Sequence, residues 1–252
     1  MKTSIFLEKA AARGSLALNA TKLRLHALVN RPPSSGYYYV FHHVGKTGGS
    51  SLLLALSRWF VIRKDYPNRR NAYARAKHLR SLPDYHLLCG HWGKMHGTNL
   101  FERYPELLGD DSCRIISFVR EPLDLAISGY FFAKKLGILS PSDKTLEEHL
   151  LTHDNFLAGT FGVTSENYRD ILDRYWFIGL FEELQASFDC LAELLGKPSV
   201  KLPQVNRSRR TGPRVSSEIR AEFRRLNAID YNLYDYATAR YKHGCEPDPS
   251  SD

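Results

Sequence analysis

The sequence predicts a three-layer α/β fold, a central parallel sheet flanked by helices, on three observations. Short runs rich in aromatic and β-branched residues alternate with longer apolar or amphipathic runs. The short runs lead into polar loops, and glycines close two of the longer ones. Alternation of this kind brings strands together in parallel and covers both faces of the sheet. At 252 residues, 43% hydrophobic and 25% charged, the chain can bury a full core, and its composition excludes a fibrous or disordered protein.

Residues 1–30 have helical character, with Leu16, Leu18, Leu23, Leu25 and Leu28 among scattered basic residues, and the prolines and glycine of RPPSSG at 31–36 stop it. We therefore expect an N-terminal helical extension over 1–36 and a single domain over 37–252. YYYVFHHV (37–44) reads as a buried strand, and SSLLLALSRWFVI (50–62) as one buried helix with a serine at its start. YHLLCG (85–90), CRIISFV (113–119) and WFIGL (176–180) are further strands. PLDLAISGYFFAKKLG (122–137) has proline near its first turn, lysines toward its end and Gly137 beyond, which marks both ends of a helix. FEELQASFDCLAELLG (181–196) is a helix closed by Gly196; KPSVKLPQVNRSRRTGPR (197–214) is basic and irregular; 216–227 and 228–242 are helical.

Thirty-five Lys and Arg against 27 Asp and Glu give a net charge of +8. That balance favours anionic partners, from nucleotides and sulfated or phosphorylated acceptors to nucleic acid and membrane headgroups, without choosing among them. Cys89, Cys113, Cys190 and Cys245 form no CxxC pair and read as reduced, mostly buried thiols. MKTSIFLEKAAARG begins as a signal peptide might, but Glu8, Lys9 and Arg13 interrupt it, and no later run offers about 18 apolar residues. The expectation is a cytoplasmic chain with no membrane span.

YVFHHVGKTGGSS (39–51) places a glycine-rich turn between a strand and a helix. Such a turn directs unpaired backbone N–H groups and the positive end of the helix dipole at an oxyanion. Lys46 adds a mobile charge, and Thr47, Ser50 and Ser51 add hydroxyls. Gly45, Lys46 and Thr47 match the end of the nucleoside triphosphate loop GxxxxGK[ST], but Val40 stands where its first glycine belongs. Here the glycines follow the lysine, so the backbone is most permissive at the helix start.

In that order, HVGKTGGSSL resembles the 5′-phosphosulfate loop, H[IV]PKTGGTS, of sulfotransferases that use 3′-phosphoadenosine 5′-phosphosulfate (PAPS), most closely the Golgi carbohydrate group with the heparan sulfate 2-O and 6-O enzymes. Gly45 replaces the proline of that pattern and Ser50 its threonine. ISFVREPLDLAISGY resembles the same family's 3′-phosphate segment, RDPxxRxxSxY, with Arg120, Ser128 and Tyr130 in register. Arg120 can offer a bidentate fork to a phosphate without appeal to the family. FIGLFEELQASFDCLAELLG is similar to a third family segment, in which Glu182 is assigned mainly to structure. PQVNRSRR resembles a late loop that would bring Asn206, Arg207, Arg209 and Arg210 toward cofactor or acceptor.

The resemblance implies a P-loop-like fold and sulfuryl transfer from PAPS, releasing 3′-phosphoadenosine 5′-phosphate (PAP), to a hydroxyl or amine of a glycan or small-molecule acceptor. In-line transfer of this kind asks for positioning and positive charge. Lys46 would stabilise the bridging oxygen, the backbone N–H groups of Gly48, Gly49, Ser50 and Ser51 with the Thr47 hydroxyl would hold the 5′-phosphate, and Arg120, Ser128, Arg209 and Arg210 would grip the rest. No metal is required in this scheme, because Lys46 and the helix dipole supply the charge. An alcohol acceptor needs a base. His91, beyond the strand YHLLCG, is the choice, with His42 and His43 as rivals; His78, His86, His96, His149 and His153 read as ordinary polar positions. A P-loop kinase or hydrolase would require the complete glycine spacing and an apolar strand ending in a magnesium-binding Asp, whereas the strands read here end in GHW and VRE. A basic RNA or polyanion binder accounts for the charge but leaves both phosphate motifs to coincidence, and no nucleic-acid partner is expected.

Overall fold

A computed structural model describes residues 11, 14–26, 36–68, 72–76, 78–139, 144–203 and 215–245. Five strands, β1 (Tyr38–His42), β2 (Val61–Asp65), β3 (His86–Gly90), β4 (Cys113–Val119) and β5 (Phe177–Leu180), form one wholly parallel sheet in the order β2-β3-β1-β4-β5. Helix α1 spans residues 14–26, and Asn19 Nδ2 donates to Ser57 Oγ at 3.0 Å. It is followed by α2 (Gly49–Leu56), α3 (Leu100–Arg103), α4 (Pro122–Leu136), α5 (Leu146–Leu151), α6 (Phe156–Phe161), α7 (Tyr168–Leu172), α8 (Leu184–Leu194), α9 (Ser217–Leu226) and α10 (Ala228–Cys245). This is the expected α/β class, with helices on both faces.

Side-chain alternation along the strands sorts the core into two layers. Val40, Leu88 and Ile115 face one way, onto Leu100 of α3, Leu157 and Phe161 of α6, and Leu233 and Ala237 of α10. Phe41, Leu87, Cys89, Ile116 and Phe118 face the other, onto Leu52 and Leu56 of α2 and Phe188 and Leu191 of α8. Four strands and the helices after β4 and β5 begin and end close to where the sequence places them. Helix α4 starts at Pro122 and is closed by Gly137 at φ 72°, the left-handed conformation that glycine adopts without strain.

The edge strand β2 is the correction. SSLLLALSRWFVI is not one helix: α2 stops at Leu56, the chain turns with Ser57 Oγ donating to the Leu54 carbonyl at 2.7 Å, and Val61 and Ile62 pair with His86 and Leu87. A continuous apolar run satisfies a buried helix and a buried strand equally. Here the aromatic and β-branched WFVI takes the strand side once tertiary pairing is offered.

The cysteine expectation also fails in part. Cys89 and Cys113 are free and buried, but Cys190 on α8 is bonded to Cys245 at the end of α10, with their Cα atoms 5.7 Å apart. The pairing follows from the approach of two helices 55 residues apart, which spacing in the sequence cannot reveal. Closing a 55-residue loop removes denatured-state entropy worth about 4 kcal/mol. We expect Cys190→Ser, or wild type in reductant, to melt roughly 8–16 °C lower by calorimetry. A melting point indifferent to reductant would show that the bond carries none of this stability.

Candidate active site at the carboxyl edge of the sheet

Strand order places a topological switch between β1 and β4: the chain leaving β1 runs toward the β2 edge, and the chain leaving β4 runs toward β5. Ligands of open parallel sheets bind in the crevice such a switch opens beyond the carboxyl ends of the strands. The loops that meet there carry Lys46 and Arg120. His91 leaves β3 on the other side of β1, because His42 is paired with Gly90 in register.

The loop after β1 is held open by specific contacts. Gly48 takes φ 79°, and a Cβ there would stand 2.8 Å from Leu184 Cδ2 of α8. Gly49 is more constrained, since a Cβ would lie 1.5 Å from His43 Nε2. Ser51 and Leu52 N–H donate to the Gly48 carbonyl at 2.9 and 3.1 Å and start α2, whereas the N–H groups of Lys46 through Ser50 have no backbone acceptor among the described residues. Thr47 departs from expectation: its hydroxyl is buried and donates to the Val44 carbonyl at 2.9 Å, so Thr47 offers an anion only its backbone. Ser50 is exposed and Ser51 is buried.

Lys46 itself adopts φ 68°, a left-handed conformation that costs energy for a side-chain-bearing residue. Its Nζ lies 3.9 Å from the Phe132 ring centroid of α4. Burial, and then the charges of Arg120 and Lys135, lower its pKa. Arg120 reaches back from the end of β4, Nη1 donating to the Lys46 carbonyl at 3.4 Å, while its guanidinium covers the Phe181 ring at 4.3 Å. Its Nε is buried without a hydrogen-bond partner among the described residues. A buried, unsatisfied guanidinium N–H is costly, and a doubly charged phosphate is the kind of group that would satisfy it. The loop that presents Arg120 is fixed by Glu182, which accepts from Glu121 N–H at 2.9 Å and from the Tyr234 hydroxyl at 3.0 Å, a structural duty as expected. Ser128 lies half-buried in the second turn of α4 and makes no hydrogen bond to Arg120 or the loop among the described residues. Asn206, Arg207, Arg209 and Arg210 fall outside the described residues.

The structure separates the three candidate bases. His42 is fully buried, its Nε2 donating to the Trp92 carbonyl at 3.0 Å and its Nδ1 accepting from the Tyr175 hydroxyl at 2.7 Å, so both nitrogens are used. His43 packs on Gly49 and bonds through Nδ1 to the Tyr66 hydroxyl at 3.1 Å, which in turn meets Cys89 Sγ at 3.0 Å. His91 Nδ1 lies 2.6 Å from the His43 carbonyl. A carbonyl only accepts, so the proton sits on Nδ1 and Nε2 keeps its lone pair. Burial, and repulsion from His96 stacked at 5.5 Å, push the His91 pKa down to about 4, which leaves the ring neutral near pH 7. The Tyr73 hydroxyl donates to the His91 carbonyl and steadies the turn. His96, read as an ordinary polar position, therefore belongs to the histidine cluster, and His86 is buried in β3.

Phe132, Tyr66, Tyr73 and the carboxylate of Asp65 escaped the sequence reading. Asp65 ends the overlooked β2 and so supplies a strand-terminal Asp after all. Its oxygens, however, accept from Arg103 Nε and Nη2 at 2.6 and 2.8 Å, Tyr104 Oη at 2.9 Å and Trp92 Nε1 at 3.1 Å. A buried carboxylate so fully bonded is a brace between β2 and α3. The signal for it was the polar RKD that ends the apolar run.

Fold and site together define a parallel α/β protein whose switch point carries a glycine-rich loop with Lys46 and Arg120 beside it. Comparison with solved structures finds a sulfotransferase from Alicyclobacillus acidocaldarius, 16% identical, covering 80% of this chain and 96% of that one with a TM-score of 0.49. It also finds mouse sulfotransferase SULT7A1 complexed with PAP, 16% identical, covering 86% and 87% with a TM-score of 0.42. No family model and no curated protein matches the sequence. At this identity and overlap neither likeness assigns an activity to the chain.

The glycine geometry is directly testable. Gly49→Ala drives a methyl into the His43 ring, and we expect a loss of about 1–3 kcal/mol in thermal melts together with loss of anion binding at the loop. Gly45, where nothing lies within 4 Å of a Cβ and φ is not positive, should accept alanine with wild-type stability and binding.

Proposed function

We propose that this chain is a PAPS-dependent sulfotransferase that moves a sulfuryl group to a hydroxyl or amine of a carbohydrate or small-molecule acceptor. The observation that carries this reading is the pairing of two cationic elements on one crevice. The cradle of N–H groups around Lys46, which have no backbone acceptor among the described residues, is bonded through the Lys46 carbonyl to Arg120, whose buried Nε likewise has no partner among them. One cradle fits a phosphosulfate, and a second cation leaving the neighbouring strand fits a separate phosphate of the same nucleotide.

In this reading the N–H groups of Gly48 to Ser50 hold the 5′-phosphate, and Lys46 donates to the oxygen that gains charge as PAP departs. Arg120 binds the 3′-phosphate. His91 accepts the acceptor's proton at Nε2, its ring fixed by the Nδ1 bond to the His43 carbonyl. His43 then acts through its backbone as a positioning residue. The Golgi carbohydrate subtype and the identity of the acceptor rest on the motif resemblance alone.

Asp65 gives the kinase or hydrolase reading one new point in its favour, but the carboxylate is bonded to Arg103, Tyr104 and Trp92 and stands on the edge strand, separated from β1 by β3. Thermal stabilisation decides between the readings. We expect PAP to raise the melting temperature and ATP with magnesium or RNA to leave it unchanged; a shift with RNA and none with PAP would end the enzyme assignment. Arg120→Ala should weaken PAP roughly 10- to 100-fold by calorimetry.

A second test concerns the base. His91→Ala should lose transfer of labelled sulfate from PAPS while binding PAP as wild type does. Because the unprotonated ring is the active form and its pKa is lowered to about 4, kcat/KM should stay level down to about pH 5 and fall below it, well under the ~6.5 of an ordinary imidazole. Wild-type turnover in His91→Ala would remove the residue from the mechanism.

A further inference from the structure

Phe132 has no obvious reason to be aromatic. It is 44% exposed, on a stretch of α4 where Phe131 and Leu136 are exposed as well, so burial does not account for a ring at this position. What the ring does touch is the ammonium of Lys46, 3.9 Å from its centroid. Among the described residues no carboxylate forms an ion pair with Lys46, and the nearest charges, Arg120 and Lys135, repel it. The carboxylates of this region act elsewhere: Glu121 caps α4, and Glu182 holds the Glu121 N–H. Among the described residues an aromatic face is the one favourable partner the site gives this cation.

We propose that Phe132 is a positioning residue for Lys46, receiving the ammonium on its face and fixing the direction from which the lysine meets an anion in the loop. The backbone supports the same outcome from the other end, since the left-handed φ of Lys46 and the bond from Arg120 to its carbonyl set where the side chain departs. A ring covers one side of the ammonium and leaves N–H donors on the other, so the contact persists when an anion arrives. A carboxylate in place of the ring would pair with the lysine and compete with the anion; a ring holds it without neutralising it.

The kinetic half of this inference rests on the sulfotransferase reading, and the structural half does not, so the test has two arms. In the first, lysines are reductively methylated with 13C, which preserves their charge, and the Lys46 resonance is assigned by its loss in Lys46→Arg. We expect it upfield of the other lysines through the ring current of Phe132, at the ordinary position in Phe132→Leu, and upfield again in Phe132→Trp. An ordinary position in wild type overturns the proposal whatever the protein's activity. In the second arm, kcat of sulfuryl transfer should fall roughly 2- to 10-fold in Phe132→Leu, return in Phe132→Trp, and leave PAP binding within about 2-fold throughout. Equal kcat in the leucine and wild-type proteins also overturns it, because a purely space-filling role is served by leucine. Failure of wild type to bind PAP would instead sink the sulfotransferase reading, with the resonance still deciding the contact.

Discussion

The His43 ring occupies the space where residue 49 would carry a side chain, its Nε2 only 1.5 Å from that Cβ position, and the rest of the site is arranged around this contact. With the imidazole seated on bare backbone, its Nδ1 reaches Tyr66 and its carbonyl is free to accept from His91. One residue thus ties the loop after β1 to the neighbouring strand's histidine. The glycine is required for packing at least as much as for backbone freedom, because its φ is not in the left-handed region. This separates it from Gly48, where both the conformation and the approach of Leu184 demand the absence of a side chain.

Around that contact the fold assembles positive charge: Asp124, Glu182 and Glu121 offset that of Arg120, but among the described residues no carboxylate pairs with Lys46. Lys46 sits in a conformation that lysine disfavours, Arg120 buries a nitrogen that has no partner among the described residues, and Lys135 adds a third cation nearby. Arrangements like this lower the stability of the free protein and are retained where the strain serves binding. The supporting structure is correspondingly firm. Glu182 and Tyr234 fix the turn after β4, Asp65 braces β2 against α3, and the parallel sheet sets the relative heights of the loops. His91 is managed in the opposite way: burial and the neighbouring His96 keep it uncharged, so it adds nothing to the local excess.

Much of this was legible in the sequence. The strand–loop–helix order and the position of the glycines after Lys46 marked the turn into α2, and Arg120 at the end of CRIISFV marked the residue that reaches back to it, because both depend on local order along the chain. Helix α4 was readable at both ends from Pro122 and Gly137. What could not be read depends on approach across the fold. Thr47 carries a hydroxyl of the right kind, but whether it faces an anion or the Val44 carbonyl is decided by the turn. His42 and His43 are adjacent and chemically identical, and only the end of β1 between them sends one into the core against Tyr175 and the other onto Gly49. Strand β2 was hidden inside an apolar run whose periodicity suits either structure, and Asp65 was hidden with it. Phe132 reads as any aromatic on a helix, because its contact with Lys46 depends on the loop after β1 meeting α4.

The bond between Cys190 and Cys245 carries a consequence of another kind. It encloses the stretch that holds the basic segment 204–214 and both α9 and most of α10. A single break in the backbone anywhere between the two cysteines would leave the pieces covalently joined. A cleaved chain would therefore migrate as one species under denaturing conditions and as two only once thiols were added. The last helix, with its buried Leu233 and Ala237, would stay tethered to the sheet it covers even after the chain leading to it had been cut.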